Sequence, residues 1–453
     1  MSGSERPGAG AVDETDVFAV CDRVLDAVGD RAQAVVAASA GRSGLTRFAV
    51  SHIHQNVAED RCVAEVQVTL DGGRTATTST TQLDDAGIDR VVERALAAAA
   101  LRPEDPMWPG LAGRAPLRSD GTADTATAQA SPEERAAVVA AVVDAGGGLE
   151  CAGFCSTDGR RGALVTSEGQ RVGAAWSSAS VDGVARTGTS DGLGHQTSPR
   201  LSDLDGAAVG AVAAQKASAS AEAVDLEPGH YEVVLEPRAV AEALLFLVIY
   251  GYNAKAYADG VSFVHLGEAQ MDAAVDLWDD AADPRTVGPT YDVEGTPKQR
   301  VELVRAGIAA GLVHDRRTAA AAATESTGHS SGSKTFGPYP ANLFLGGGTA
   351  SREQLIGSVK RGLLVTDFWY NRILDPKTQV VTGLTRNGLF EIVDGEVTRA
   401  VKNLRFTQSI AAALGPGKVL GVGDDARLVD VRVTMHVPSL HLADWHFSGG
   451  AKG

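Results

Sequence analysis

Three of the chain's ten histidines, His436, His441 and His446, fall in the stretch MHVPSLHLADWHF at 435–447, with Asp444 between the last two. Imidazole and carboxylate are zinc ligands. Their spacing argues against a site built within one element. In a strand, side chains alternate, so His441 faces away from both neighbours, and His436 and His446 lie roughly 33 Å apart. In a helix, steps of five residues spread the three rings around the cylinder, and Pro438 opposes a helix. VRVTMHV alternates cleanly and places His436 with Arg432 and Thr434 on a polar strand face. Three strand histidines are the expectation. His52 and His54 in FAVSHIHQN share one strand face about 7 Å apart. They could chelate a metal, but a solvated polar face accounts for them more simply.

Other motifs carry partial signals. GHSSG at 328–332 matches G-x-S-x-G, which needs a strand before it and a helix after it to present the serine as a nucleophile. The flanks TEST and SKTFGPYP read as loop, so Ser330 is expected in a polar loop. GHSSGSKT imitates a P-loop but has Ser333 at the second glycine, and FLGGGTAS at 344–351 lacks the lysine. Asp292 and Glu294 in DVEG put two carboxylates on one side of an extended segment. They could bind a cation or a peptide amine, and an acidic turn is the plainer reading. The densest stretch is GLLVTDFWYNRILDPKTQVVTGLTRNG at 362–388. It gathers Asp367, Trp369, Tyr370, Asn371, Arg372, Arg386 and Asn387 within 21 residues. Aromatic, amide and guanidinium groups together suit recognition of a polar chain such as a peptide backbone.

The elements that must position these groups can be sketched. Residues 1–13 form a polar, disordered-type tail with no leader-like apolar run. Apolar spacing predicts a helix over 16–30. Strands follow in AVVAASA, LTRFAVSHIHQN and CVAEVQVTL, with turns expected at GRSG (41–44) and DGG (71–73). A helix is predicted over 85–100. Another opens at Ser131-Pro132-Glu133-Glu134, where the serine caps and Glu134 completes a capping box. Short strands broken by DGRRG (158–162) and SEGQ (167–170), then a helix over 204–221, complete the first half. After a break near 218–229, HYEVVLEP reads as a strand and 238–252 as an apolar helix. Mostly strands follow, including a hairpin around Asp394-Gly395. The fold class is therefore α/β (α+β). An N-terminal domain (14–225) packs helices on an antiparallel β-sheet, and a C-terminal domain (226–453) is β-rich.

Composition narrows the function. A net charge of −16 lacks the basic footprint of nucleic-acid binding. Four cysteines in 453 residues form no disulfide framework, which points to a reducing cytoplasm. The longest apolar stretch, ALLFLVIYGY (243–252), is too short for the ~20 residues of a membrane span.

The 362–388 block and VKNLRFTQSI resemble the TldD/PmbA family. YDVEGTP (291–297), AGLVHDRRTA (310–319), STGHS (326–330) and FAVSHIHQN (48–56) support the resemblance, which runs from about residue 15 to the C-terminus. It implies one of two chain types. TldD-like chains are zinc peptidases with an HExxxH helix and a distal cysteine. PmbA-like (TldE) chains share the fold without the ligands, and the two associate around a cleft that cleaves extended peptides. Here the helix after HYEVVLEP contains no histidine. In ungapped register Leu245, Phe246 and Tyr250 stand where the two histidines and the glutamate would be, and GVGDDARLVD (421–430) has no cysteine. The resemblance therefore implies a TldE-like chain without catalytic residues or a metal of its own, with zinc on a TldD-like partner subunit. It also implies Asp292, Glu294, Asp367, Tyr370, Asn371, Arg386 and Asn387 as candidates for the peptide groove or the partner interface. Two rival readings are a self-sufficient metallohydrolase using the C-terminal histidines and a peptide-binding scaffold with no enzyme partner.

Overall fold

The structure is a computed structural model that describes residues 16–450. The sequence-predicted tail lies outside those residues. Helix Val17–Val28 starts where the Asp16 carboxylate accepts the amides of Phe18 and Ala19. Six strands follow: β1 (Gln33–Ala49), β2 (His52–Leu70), β3 (Arg74–Thr80), β4 (Glu150–Thr166), β5 (Arg171–Arg186) and β6 (Asp191–Ser198). They form one antiparallel sheet in the order β3-β2-β1-β4-β5-β6.

Two expected turns are absent. GRSG and DGRRG run straight through β1 and β4, paired to each other, with Gly41 opposite Arg160. The glycines serve close approach rather than a bend, since a Cβ on Gly41 would come 2.5 Å from the Gly159 carbonyl. The chain turns instead at Val50-Ser51, both at positive φ (49° and 59°). Neither residue type signals a tight hairpin.

One sheet face is covered by two helix pairs. Val17–Val28 and Asp85–Ala100 enclose an apolar cluster with Val36, Val66 and Val165. Pro132–Asp144 and Gly206–Ala219 cover the other end around Phe48, Cys155 and Val181. The predicted Ser131–Glu134 capping box is present. The opposite face meets the C-terminal half through Val35, Leu164 and Tyr291. Helix Gly206–Ala219 lies directly on β6, where no side chain fits between. A Cβ on Gly194 would stand 2.1 Å from the Val209 carbonyl, and one on Gly192 2.2 Å from that of Ala213.

The C-terminal half holds a six-stranded and a nine-stranded sheet. Between them runs the apolar helix Pro237–Phe246, continued by a π-type turn over Leu247–Gly251. Leu244 and Leu247 are fully buried, each contributing about 1.5–3 kcal/mol by desolvation. In the nine-stranded sheet Trp445 stacks on Phe368 (5.1 Å) and tilts against Phe406 (5.4 Å). Strand Phe368–Asp375 forms one edge of this sheet.

The seating of helix Gly206–Ala219 generates a test. Gly194→Ala is expected to destabilise the protein by about 1–3 kcal/mol through overpacking, read as a lower denaturant midpoint. An exposed substitution on the same helix, Val212→Ala, should leave the midpoint almost unchanged.

Candidate functional site

Strand Gly229–Leu235 feeds directly into helix Pro237–Phe246, with proline in the first turn and Glu236 at the cap position. The Glu236 carboxylate is met from two directions. Lys216 of helix Gly206–Ala219 donates to Oε2 (2.7 Å), and Arg352 donates to Oε1 from Nη2 (2.8 Å) and Nε (3.1 Å). Burial alone would raise the pKa of this group, but the two cations hold it below the ordinary carboxylate value.

Four residues apart on the same helix face stand Arg238 and Glu242. Arg238 Nε donates to Asp367 Oδ1 (3.2 Å), and Asn387 Nδ2 donates to Asp367 Oδ2 (3.0 Å). Asn371 Nδ2 donates to Glu242 Oε2 (2.9 Å). Three candidates from the sequence, Asp367, Asn371 and Asn387, are thus brought together, joined by two residues that the motif reading missed. Burial raises the pKa of Asp367 despite Arg238 and Asn387. Burial and the Asp367 charge push Glu242 up to about 7. Burial opposes the charge on Arg238, yet Asp367, Asp182 and Glu242 keep it firmly protonated.

Part of this cluster borders a cleft of about 650 Å³ between β6, helix Gly206–Ala219 and the C-terminal half, with His195, Lys216, Glu236, Arg238, Asp367 and Asn387 on its wall. His195 is bonded through Nδ1 to Asp182 and through Nε2 to Thr197. Just outside, on the sheet edge, Trp369 and Tyr370 are exposed (46% and 67%). Arg386 lies over the Trp369 ring and Arg372 over the Tyr370 ring, each at 4.7 Å. Tyr370 and Asn387 both hold positive φ (60° and 58°). For tyrosine that is an uncommon conformation, and it coincides with a register shift between Trp369 and Arg372.

Asp292 and Glu294 stand apart from this cluster. They sit in a tight turn, as the acidic-turn reading expects, closed by the Gly295 amide on the Asp292 carbonyl (3.0 Å). Asp292 Oδ1 accepts the amides of Glu294 (3.0 Å) and Thr296 (2.9 Å), and Oδ2 accepts that of Ser330 (2.8 Å). Burial and the Asp292 charge push Glu294 up to about 7. Ser330 is in a loop, and the adjoining His329 cannot serve it as a base. Its Nε2 is bonded to Asp279 (2.9 Å) and its Nδ1 to Thr327 (2.9 Å).

The C-terminal histidines are split between two sheets, His436 in Thr434–Val437 and the others in Leu440–Gly450. His436 packs near Phe344 (5.6 Å), His441 bonds Glu232 (2.6 Å) and Ser358 (3.1 Å), and His446 stacks on His230 (4.6 Å). His52 and His54 lie on an exposed strand. Among the described residues no group of three or more His, Cys, Asp or Glu side chains is placed to hold a metal ion. Leu245 is buried in the core, Phe246 stacks on Tyr250 (6.5 Å), and Tyr250 meets Phe336 edge-on (5.8 Å). This helix segment offers a metal no first ligand.

Comparison with known proteins adds the following. The family model for the PmbA/TldA metallopeptidase C-terminal domain matches residues 228–449. No curated protein sequence matches the chain. Among solved structures, TldE from Thermococcus kodakarensis shares 18% identity at a TM-score of 0.82, covering 97% of this chain and 100% of that one. A Thermotoga maritima protein designated a candidate modulator of DNA gyrase shares 18% at 0.81, covering 95% and 99%. One of like designation from Bacteroides thetaiotaomicron shares 16% at 0.83, covering 96% and 99%. At these identities the likeness is one of fold.

The raised pKa of Glu242 makes stability depend on pH. The folded state holds this proton up to about pH 7, whereas the unfolded chain loses it near the ordinary 4.5. The contribution is present below pH 4.5 and declines as pH rises to about 7. Glu242→Gln, which keeps an oxygen for Asn371, should therefore raise the melting temperature at pH 8 and much less at pH 4.5. The gain at pH 8 is on the order of 2–3 kcal/mol. Melts of both proteins at the two pH values check it.

Proposed function

From the premise that this chain belongs to the TldD/PmbA family, we propose that it is the metal-free, non-catalytic subunit of a TldD/TldE-type zinc metallopeptidase complex. One observation carries the reading. At the places where the resemblance puts two histidines and a glutamate, Leu245, Phe246 and Tyr250 are built into packed apolar and aromatic surroundings. None of the three is an imidazole or a carboxylate, so the segment lacks the ligands and the base that HExxxH would supply. Hydrolysis of extended peptides, or of peptide-derived substrates, then falls to a TldD-like partner subunit whose zinc activates water. This chain supplies the other wall of the cleft. The buried thiols Cys21, Cys151 and Cys155 are free, which suits a reducing cytoplasm.

The wall we assign is the free edge of strand Phe368–Asp375. Its outward main-chain groups can extend the sheet onto a peptide with little demand on sequence. The two aromatic–guanidinium pairs, Trp369–Arg386 and Tyr370–Arg372, flank that edge and can clasp the peptide's side chains. Asp367, Asn371 and Asn387 act beneath them by fixing the hairpin against helix Pro237–Phe246. No observation favours the metallohydrolase reading, since His436, His441 and His446 have separate partners.

Co-expression with a TldD-like chain carrying HExxxH tests the complex. The two should co-purify, with zinc confined to the partner and peptidase activity above that of the partner alone. Stoichiometric zinc on this chain, lost in His441→Ala, or no association at all, would defeat the reading. Tyr370→Ala and Arg386→Ala should each lower turnover of an extended peptide about ten-fold, the worth of ~1.4 kcal/mol. They should leave co-purification intact, whereas loss of association would reassign the edge to the subunit interface.

A further inference from the structure

A second cavity, of about 370 Å³, lies between the two halves and plays no part in the peptide groove proposed above. Its walls include Ala37 of β1, Leu164 of β4 and Trp176 of β5 on one side, and Tyr291, Tyr339 and Lys298 on the other. Glycine keeps this space open, because a Cβ on Gly162 would come 2.8 Å from the Tyr291 hydroxyl and 3.5 Å from the Trp176 ring. Such a volume, with a largely apolar and partly aromatic lining and several polar groups, is that of a small-molecule site.

Lys298 lines this cavity together with Glu65, Asp292 and His329. Lys298 is only 8% exposed. Of the three hydrogen bonds an ammonium can donate, Nζ makes one, to Asn342 Oδ1 at 3.2 Å. The nearby acids are engaged elsewhere. Asp279 accepts from His329 Nε2 (2.9 Å) and from the Asn342 amide (2.6 Å), while Asp292 accepts two amides of its turn and that of Ser330. Burial lowers the pKa of Lys298, and the more distant charges of Asp279 and Asp292 only partly oppose this. A desolvated lysine of this kind is the ordinary means of presenting a neutral amine to a carbonyl carbon.

We propose that this cavity takes a small aromatic aldehyde or ketone and holds it as an imine on Lys298. Nζ adds its lone pair to the carbonyl carbon, and the carbonyl π pair moves to oxygen. Both amine protons leave with that oxygen as water, and the C=N bond forms. Asn342 Oδ1 fixes the amine, and the Trp176, Tyr291 and Tyr339 rings provide flat apolar surfaces for the aromatic group. His329 takes no part, because both its ring nitrogens are committed.

The test is reductive trapping of the full-length chain with benzaldehyde and cyanoborohydride, followed by peptide mapping. One benzyl group is expected on Lys298 at aldehyde concentrations that leave the exposed Lys377 and Lys418 unmodified. Trp176→Ala should lower labelling of Lys298 several-fold without changing that of Lys377. Lys298→Arg, which keeps an N–H donor for Asn342 but has no amine able to form an imine, should abolish the product. Labelling of Lys298 no better than that of Lys377, or an unmodified Lys298, would overturn the proposal. The wild-type map decides this even if a variant fails to fold.

Discussion

The half-buried carboxylate of Glu236 is the constraint on which the cleft depends. It lies where strand Gly229–Leu235 becomes helix Pro237–Phe246, and it is held by Lys216 from one half of the chain and Arg352 from the other. Partial burial of such a charge is costly, and the two cations offset that cost. That pairing sets where helix Gly206–Ala219 sits against the C-terminal half. It also orients the first turn of the following helix, and hence the direction in which Arg238 and Glu242 point.

From that turn the order passes to the surface. Arg238 holds Asp367, Asp367 holds Asn387, and Glu242 holds Asn371. The residues in these pairs flank the hairpin whose outer edge carries Trp369 and Tyr370. An exposed tyrosine at positive φ needs surroundings that over-determine it, and the buried polar cluster provides them. The same helix changes character along its length. Its first turns face a polar cleft, and its later turns enter the aromatic cluster of Phe246, Tyr250 and Phe336. Chemistry that needs a polar helix end is thereby excluded from the second part and concentrated in the first.

Much of the fold could be foreseen from local chemistry. The Ser131 capping box, the helix over 85–100 and the Asp394-Gly395 turn follow from contacts within a few residues. The cases that misled involve neighbours distant in the chain. Gly41 and Gly159 look like turn residues, but they are extended because two strands approach too closely there for a Cβ. Val50-Ser51 carries no turn signal, yet the long pairing of β1 with β2 forces the reversal at that point.

For the site, the sequence by itself determined the family resemblance, the apolar helix in place of a ligand-bearing one, and the motif that holds Asp367, Asn371 and Asn387. These are matters of residue identity and spacing along one segment. Only the tertiary structure decided that Arg238 and Glu242 complete that cluster, although their spacing of four on one helix was a visible hint. It alone separated Asp292 and Glu294 from the cluster, divided the C-terminal histidines between two sheets, and enclosed Lys298 in an aromatic cavity. The physical reason is that burial and partnership of a charged group are set by surfaces far away in the chain, which no local pattern encodes.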